Sequence, residues 1–121
     1  LFELDGKLPQ IAASAWIGPG STVIGDVVIG ERSTVWPGAV IRGDFAPIRV
    51  GDDVHVEDNV VLHSGSGLTI GNSVTIGHGA IVKPDVTVGA GAEVSRCGGR
   101  RRVSMRLLSQ APCHPPISGK A

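Results

Sequence analysis

The sequence predicts an all-β fold, a parallel β-helix, and three observations support this prediction. Aliphatic residues recur every six positions along residues 11–94, a period that suits neither an α-helix of about 3.6 residues per turn nor the alternation of a single strand. Glycine is frequent, at 18 of 121 residues, and aromatic residues make up only 3%. A chain that runs straight, turns and runs straight again buries one aliphatic side chain per segment, and such segments form a continuous core only by stacking.

The repeat runs in three stretches. The first ends at Ile41, and the second begins at Val50 after a break around residues 45–49. The third begins at Ile70, after a break at residues 63–69 that adds two residues to the period. Three segments of six residues close one coil, so residues 11–94 account for about five coils. The aliphatic positions are Ile11, Ile17, Val23, Ile29, Val35, Ile41, Val50, Val56, Leu62, Ile70, Ile76, Val82, Val88 and Val94.

Charge divides the chain into a lead-in at residues 1–10, the repeats at 11–94 and a tail at 95–121. Residues 1–94 hold all 11 acidic residues and 5 basic ones, whereas the tail holds six basic residues and no acidic one. We expect the tail to be irregular, with a short helix at Val103–Gln110, or disordered, or docked as a cap on the open edge of the last coil. Its positive charge favours docking on the acidic repeats over binding RNA.

Composition also excludes several classes of function. The formal net charge is zero, which argues against nucleic acid as a partner. No apolar run approaches the roughly 18 residues of a membrane span, and no basic segment followed by an apolar one opens the chain, so a cytoplasmic location is the default expectation. Cys97 and Cys113 are too few for a disulfide scaffold and match no metal-site spacing.

Three histidines precede the tail, and the coil length indicates which of them can meet. His63 and Lys83 each follow an aliphatic position and lie 20 residues apart, one coil of 18 plus the two-residue break. The spacing therefore predicts that they share one edge, a coil apart. His78 falls on a different corner, so one chain cannot easily bring it to that edge, whereas a threefold neighbour could. His55 is expected on another face from His63.

Three segments resemble the gamma-class carbonic anhydrases and the wider family of gamma-carbonic-anhydrase-like hexapeptide-repeat proteins. They read WPGAVIRGD at 36–44, VEDNVVLH at 56–63 and IGHGA at 76–80, and the resemblance spans roughly residues 10–94. It implies a left-handed helix and a homotrimer in which three histidines, two from one subunit and one from its neighbour, hold a zinc or iron ion. His63 and His78 match two of these ligands, and Lys83 stands where the family has the third.

The resemblance also implies roles for four polar residues, which are the candidate catalytic residues. Arg42 and Asp44 match a pair that forms a salt bridge between subunits near the metal, and Asp58 matches a member of the same polar cluster. Glu57 stands where the family commonly has a glutamine that orients the metal-bound water, and a carboxylate there accepts a hydrogen bond instead of donating one. The family's active members carry glutamates on extended loops as proton shuttles, whereas the short loop at 64–67 has none.

These residues predict a metal-dependent hydration of carbon dioxide to bicarbonate that is weak or lost. The cofactor would be zinc, or iron or cobalt, or absent, because a lysine ammonium with an ordinary pKa of about 10.4 has no lone pair for a metal. One alternative is a non-catalytic trimeric scaffold that keeps the fold and the interface; Trp36 is expected to be an interface contact and not a stacking surface for a ligand. The other is an acyltransferase that binds acyl-coenzyme A between prisms and uses His63 or His78 as general base.

Overall fold

The structure is a computed structural model and describes residues 1–82, 86–94, 96–97 and 100–101. All regular elements in these residues are β-strands. The described residues contain no helix that is long and apolar enough to cross a membrane. The strands are β1 (Gln10–Ile11), β2 (Trp16–Ile17), β3 (Thr22–Ile29), β4 (Thr34–Val35), β5 (Val40–Val50), β6 (His55–Val56), β7 (Val61–His63), β8 (Leu68–Ile70), β9 (Thr75–Ile76), β10 (Ile81–Val82), β11 (Val86–Val88), β12 (Glu93–Val94), β13 (Arg96–Cys97) and β14 (Arg100–Arg101).

The aliphatic repeat lines up as three parallel columns. The first column begins at Ile11, the second at Ile17 and the third at Val23, and every step within a column is a parallel strand pairing. Together the columns make four complete turns and two of the three faces of a fifth. The predicted left-handed parallel β-helix is confirmed. The columns are Ile11–Ile29–Val50–Ile70–Val88, Ile17–Val35–Val56–Ile76–Val94 and Val23–Ile41–Leu62–Val82.

These columns are the core of the prism. From Val23 onward every residue of the three columns is at most 4% exposed, whereas Ile11 and Ile17 in the first coil are only partly buried. Each fully buried aliphatic side chain contributes about 1.5–3 kcal/mol relative to exposure, so stacking is the main source of stability. The lead-in extends the third face by one rung, since the Phe2 N–H donates to the Val23 carbonyl at 2.8 Å.

Two corners of the prism have a left-handed backbone at one fixed position, the first of them only from the second coil onward. Between the first and second faces, φ is 58° at Arg32, 56° at Asp53, 59° at Ser73 and 75° at Gly91. Between the second and third faces the column is Gly20, Gly38, Asn59 and Gly79, with φ of 81°, 82°, 61° and 71°. Glycine adopts this conformation without a Cβ penalty, and Asn and Asp tolerate it better than most residues.

The third corner, between the third face and the first face of the next coil, contains the extra residues at which the six-residue repeat breaks. Gly25 pairs with Gly43 and Val27 with Ile48, so the second coil has three more residues than the first at this corner. In the third coil, His63 pairs with Arg42 and Leu68 pairs with Ile48, so this corner is one residue shorter than in the second coil. It is therefore two residues longer than in the first coil, as the sequence predicted.

The start of the tail differs from the expectation of irregular or helical structure. Strands β13 and β14 form an antiparallel pair in which Arg96 faces Arg101 and Cys97 faces Arg100. Such a pairing closes locally and does not continue the six-residue repeat, so the periodicity carried no signal for it. The helix predicted at 103–110 lies outside the described residues, and so do Lys83 and Cys113.

Candidate metal site

His63 lies at the third corner beside an ion pair. It is the last residue of β7 and pairs in register with Arg42 of β5. The Arg42 Nε lies 3.1 Å from Asp44 Oδ2, and the other oxygen of the same carboxylate lies 3.7 Å from His63 Nε2. This nitrogen is buried and has no hydrogen-bond partner. A buried unpaired polar atom is costly, so an orphaned imidazole nitrogen indicates a place for a ligand.

Strand alternation explains why these side chains meet. Leu62 points into the core at 0% exposure, so the next residue, His63, points outward beside Arg42 on the strand below. The following residue, Ser64, is buried, and its N–H and hydroxyl both approach the Arg42 carbonyl at 3.3 Å. The backbone that carries His63 is therefore fixed to the strand beneath it.

His78 lies on a different corner, between the second and third faces, and its ring contacts two carboxylates. Its Nε2 lies 3.3 Å from Glu57 Oε1, and its Nδ1 lies 3.5 Å from Asp58 Oδ1. The rungs are joined by the backbone, since the N–H of Gly79 donates to the Asp58 carbonyl at 2.9 Å. The imidazole is open to solvent, with 72% of the side chain exposed, so a second molecule can reach it.

An open groove of about 360 Å³ runs along the second face beside His78. His55 lies in this groove, and its Nδ1 is 2.8 Å from Thr34 Oγ1, which also accepts a hydrogen bond from Trp36 Nε1 at 3.0 Å. The Trp36 ring packs edge-on against Trp16, with the centroids 4.8 Å apart. The groove is lined by Trp36, His55, Glu57, Asp58, Thr75 and His78.

The sequence reasoning placed His55 on a face away from His63 but missed that it shares a groove with His78. The signal was present in the alternation around Val56, which points inward at 0% exposure. His55 and Glu57 flank this residue, so both side chains point outward on the same side of the coil.

The predicted site residues form two separate clusters in one chain. Arg42 and Asp44 surround His63, and Glu57 and Asp58 surround His78. Within the described residues, no group of three His, Cys, Asp or Glu side chains is close enough to hold a metal ion. The two clusters nevertheless offer imidazole and carboxylate donors, which suit zinc, iron or cobalt, and the orphaned nitrogen of His63 fits such a ligand.

Arg42 and Asp44 form an ion pair within one chain. The Arg42 Nε and the Asp44 Oδ2 lie 3.1 Å apart, and the salt bridge between subunits that the resemblance implied stays a prediction. Arg42 remains about half exposed, so its other nitrogens are free to contact a neighbouring molecule.

Comparison with known proteins supports the same family assignment. The family model for bacterial transferase hexapeptide repeats, described as six repeats, matches residues 9–43. A protein of Geobacillus kaustophilus named carbonic anhydrase is 42% identical over 100 residues, which cover 76% of this chain and 54% of that protein. Gamma carbonic anhydrase 2, mitochondrial, of Arabidopsis thaliana is 38% identical over 105 residues, covering 76% of this chain and 38% of its own length.

A solved structure supports the fold alone. The hexapeptide transferase family protein of Anaplasma phagocytophilum superposes with a TM-score of 0.64 at 23% identity, over 90% of this chain and 74% of that one. The chain spans about half or less of the length of the two carbonic anhydrases that it matches. From the repeat, the fold and these relatives, the chain is a hexapeptide-repeat protein that is similar to the gamma carbonic anhydrases.

Proposed function

We propose that the chain assembles as a homotrimer and hydrates carbon dioxide to bicarbonate at metal sites shared between subunits, with low activity. The observation that carries this proposal is the orphaned Nε2 of His63, buried next to an ion pair on one corner of the prism. The exposed ring of His78 lies on another corner, so the two donors face outward in different directions. Packing one corner against the other in a threefold assembly would bring His63 and His78 of different subunits together.

A divalent metal held by these histidines supplies the Lewis acidity that lowers the pKa of water toward neutrality. The chain's own residues would orient the donors. Asp44, ion-paired to Arg42, lies beside the His63 ring, and Asp58 lies beside Nδ1 of His78. A carboxylate on the second ring nitrogen, as Asp58 is for His78, fixes the tautomer and the orientation of a ligating imidazole, whereas Asp44 lies on the Nε2 side of His63, next to the nitrogen that would bind the metal.

Low activity follows from two features of the sequence. Lys83 takes the position of the family's third histidine, and a protonated lysine repels a cation and offers it no lone pair. The loop at residues 64–67 carries no acid for proton transfer. Without a third imidazole we expect weaker metal binding, and without a shuttle we expect slow release of protons to solvent.

The first test is the metal content per subunit after anaerobic purification, measured together with the mass in solution. We expect a trimer that carries zinc, iron or cobalt and loses it in His63→Ala. Thr69→Ala is the control, because that exposed residue lies on the first face, outside both clusters, and should leave the metal content unchanged. A hydratase assay on the same samples measures the activity.

Two results would contradict the proposal. A trimer without metal would support the scaffold alternative, since the assembly would remain without its chemistry. Thermal stabilisation by coenzyme A in a metal-free protein would support the acyltransferase alternative instead.

A further inference from the structure

We propose that Glu57 is itself a metal ligand, paired with His78, and that His63 of a second copy completes the set. This inference rests on the shared site of the proposed function. It changes the donor set from the three histidines of the family to two histidines and one carboxylate. Such a combination is an established donor set for zinc and for iron.

The spacing of the two atoms is the first argument. Glu57 Oε1 and His78 Nε2 are 3.3 Å apart. Two ligands of one tetrahedral zinc, each bonded at about 2.0–2.2 Å, lie roughly 3.4 Å from each other. The distance of 3.3 Å is also longer than the roughly 2.7–2.9 Å of a charge-assisted hydrogen bond. That is the arrangement of two donors to one ion.

The second argument is the use of the other ring nitrogen. A ligating histidine directs its second nitrogen toward a carboxylate or a carbonyl, which orients the ring. Nδ1 of His78 lies 3.5 Å from Asp58 Oδ1, so Asp58 is placed for that role. The two carboxylates near His78 therefore have different roles. Glu57 lies beside Nε2, the nitrogen that would bind the metal, and Asp58 lies beside Nδ1 as a positioning residue.

The third argument concerns what one chain lacks. Within the described part of the chain, no group of three His, Cys, Asp or Glu side chains is placed to hold one metal ion, so the set is incomplete without a second molecule. His63 offers a buried nitrogen without a partner, and its corner differs from that of His78. This chain has Lys83 in place of a third imidazole, and a carboxylate is a suitable replacement ligand. The negative charge of the carboxylate offsets part of the positive charge of the metal ion.

Cobalt binding to the purified 121-residue chain tests this inference without any assay of activity. Cobalt(II) is titrated alone, and its visible absorption reports both affinity and ligand geometry. We expect Glu57→Gln to lower the affinity at least 100-fold and to change the absorption spectrum, since even loss of an orienting carboxylate costs about 10–100-fold. Asp58→Asn should lower the affinity by the smaller factor and leave the spectrum unchanged.

Glu93→Gln is the control, because it removes the same charge from an exposed position of the same face. Equal losses in Glu57→Gln and Glu93→Gln would show a general electrostatic effect and overturn the ligand assignment. Unchanged or tighter binding by Glu57→Gln would also overturn it, while leaving a metal site of histidines in place. A wild-type chain that binds no cobalt overturns the assignment whatever the hydratase assay shows, and a Glu57-dependent site without hydratase activity contradicts only the proposed function.

Discussion

His63 and His78 use their ring nitrogens differently. His63 keeps one nitrogen buried without a partner, 3.7 Å from Asp44, whereas both nitrogens of His78 lie near carboxylates at 3.3 and 3.5 Å. A bound cation would therefore satisfy His63 and would displace nothing there. At His78, the carboxylate of Glu57 must either share the ion or move away.

Lys83 offers the most direct test at the scale of one residue. Lys83→His restores the imidazole of the family pattern, so we expect tighter metal binding and at least 10-fold higher hydratase activity, equivalent to about 1.4 kcal/mol of barrier. Equilibrium dialysis against zinc and a hydration assay on the same preparation measure the two effects.

Thr69→His is the control for this substitution, because Thr69 is exposed on the first face and lies in neither cluster. Tighter binding in both variants would mean that any added surface histidine recruits metal. No gain in Lys83→His would mean that the 20-residue spacing does not bring position 83 to the site.

Residue identities predicted the two clusters only in part. The resemblance grouped Arg42, Asp44, Glu57 and Asp58 around one metal shared between subunits, and within a single chain they lie at two corners. Coil arithmetic locates a residue on a corner, but it does not locate the end of a side chain within 3 or 4 Å. The two hydrogen bonds that link Trp36 to Thr34 and Thr34 to His55 were not predicted for this reason, because they depend on side-chain rotamers.

At the scale of the elements, the corners impose the strictest demands. The column between the second and third faces keeps a left-handed backbone in four successive coils, at 61–82°. Each of three of these residues donates its N–H to a carbonyl in the coil below, as Asn59 does to Pro37 at 3.3 Å. A corner residue therefore has to satisfy both its own conformation and its neighbours in the stack.

Gly38→Ala and Gly20→Ala separate these two demands. Both glycines have nearly the same φ, 82° and 81°, so both substitutions carry a cost of about 1–2 kcal/mol for the left-handed backbone. A Cβ at Gly38 would also collide with the side-chain oxygen of Asn59, whereas a Cβ at Gly20 meets nothing within 4 Å. We expect Gly38→Ala to lower the free energy of unfolding by more than Gly20→Ala, measured by urea denaturation.

Removing the Asn59 side chain tests whether its contact with the new Cβ causes the difference in stability between the two variants. Asn59→Gly combined with Gly38→Ala should reduce the cost of Gly38→Ala to that of Gly20→Ala. Equal costs for the two single variants would show that the backbone conformation, and not the contact between coils, governs this corner.

The sequence predicted the strands well because one aliphatic residue per segment suffices to define them. All fourteen predicted aliphatic positions occupy the three columns, including those that follow the two breaks. It did not predict the pairing of β13 with β14, because a two-residue antiparallel contact leaves no period to detect. Local pairing of that kind depends on the turn between the strands and on what covers them.

At the scale of the whole molecule, stability depends on each coil having neighbours. A single coil buries almost nothing by itself, and its aliphatic side chains are covered only by the coils above and below. Ile17 in the first coil is partly exposed, whereas Val35 and Val56, which follow it in the same column, are 1% and 0% exposed. The coils at each end of the prism therefore depend on the fully buried middle coils for their stability.

Val56→Ala tests this cooperativity, with Val61→Ala as a matched control. Val56 lies in the central coil at 0% exposure between Val35 and Ile76, and Val61 points outward from the same coil. Removing two buried methyl groups and leaving a cavity should cost about 2 kcal/mol or more for Val56→Ala, and clearly less for Val61→Ala. Trp16 and Trp36 lie in the first two coils, so tryptophan fluorescence reports on one end of the prism and far-ultraviolet circular dichroism on all of it.

We expect the two signals to change together in Val56→Ala, at a lower urea concentration than in wild type, because neither half of so short a prism has enough covered coils to persist alone. The comparison must be made at one protein concentration, since assembly would also stabilise the folded chain. If the tryptophan transition kept its wild-type midpoint while the dichroism transition moved, the first coils would be an independent folding unit. In that case the central coil would not couple the two ends, and the corners at which His63 and His78 lie would be free to melt separately.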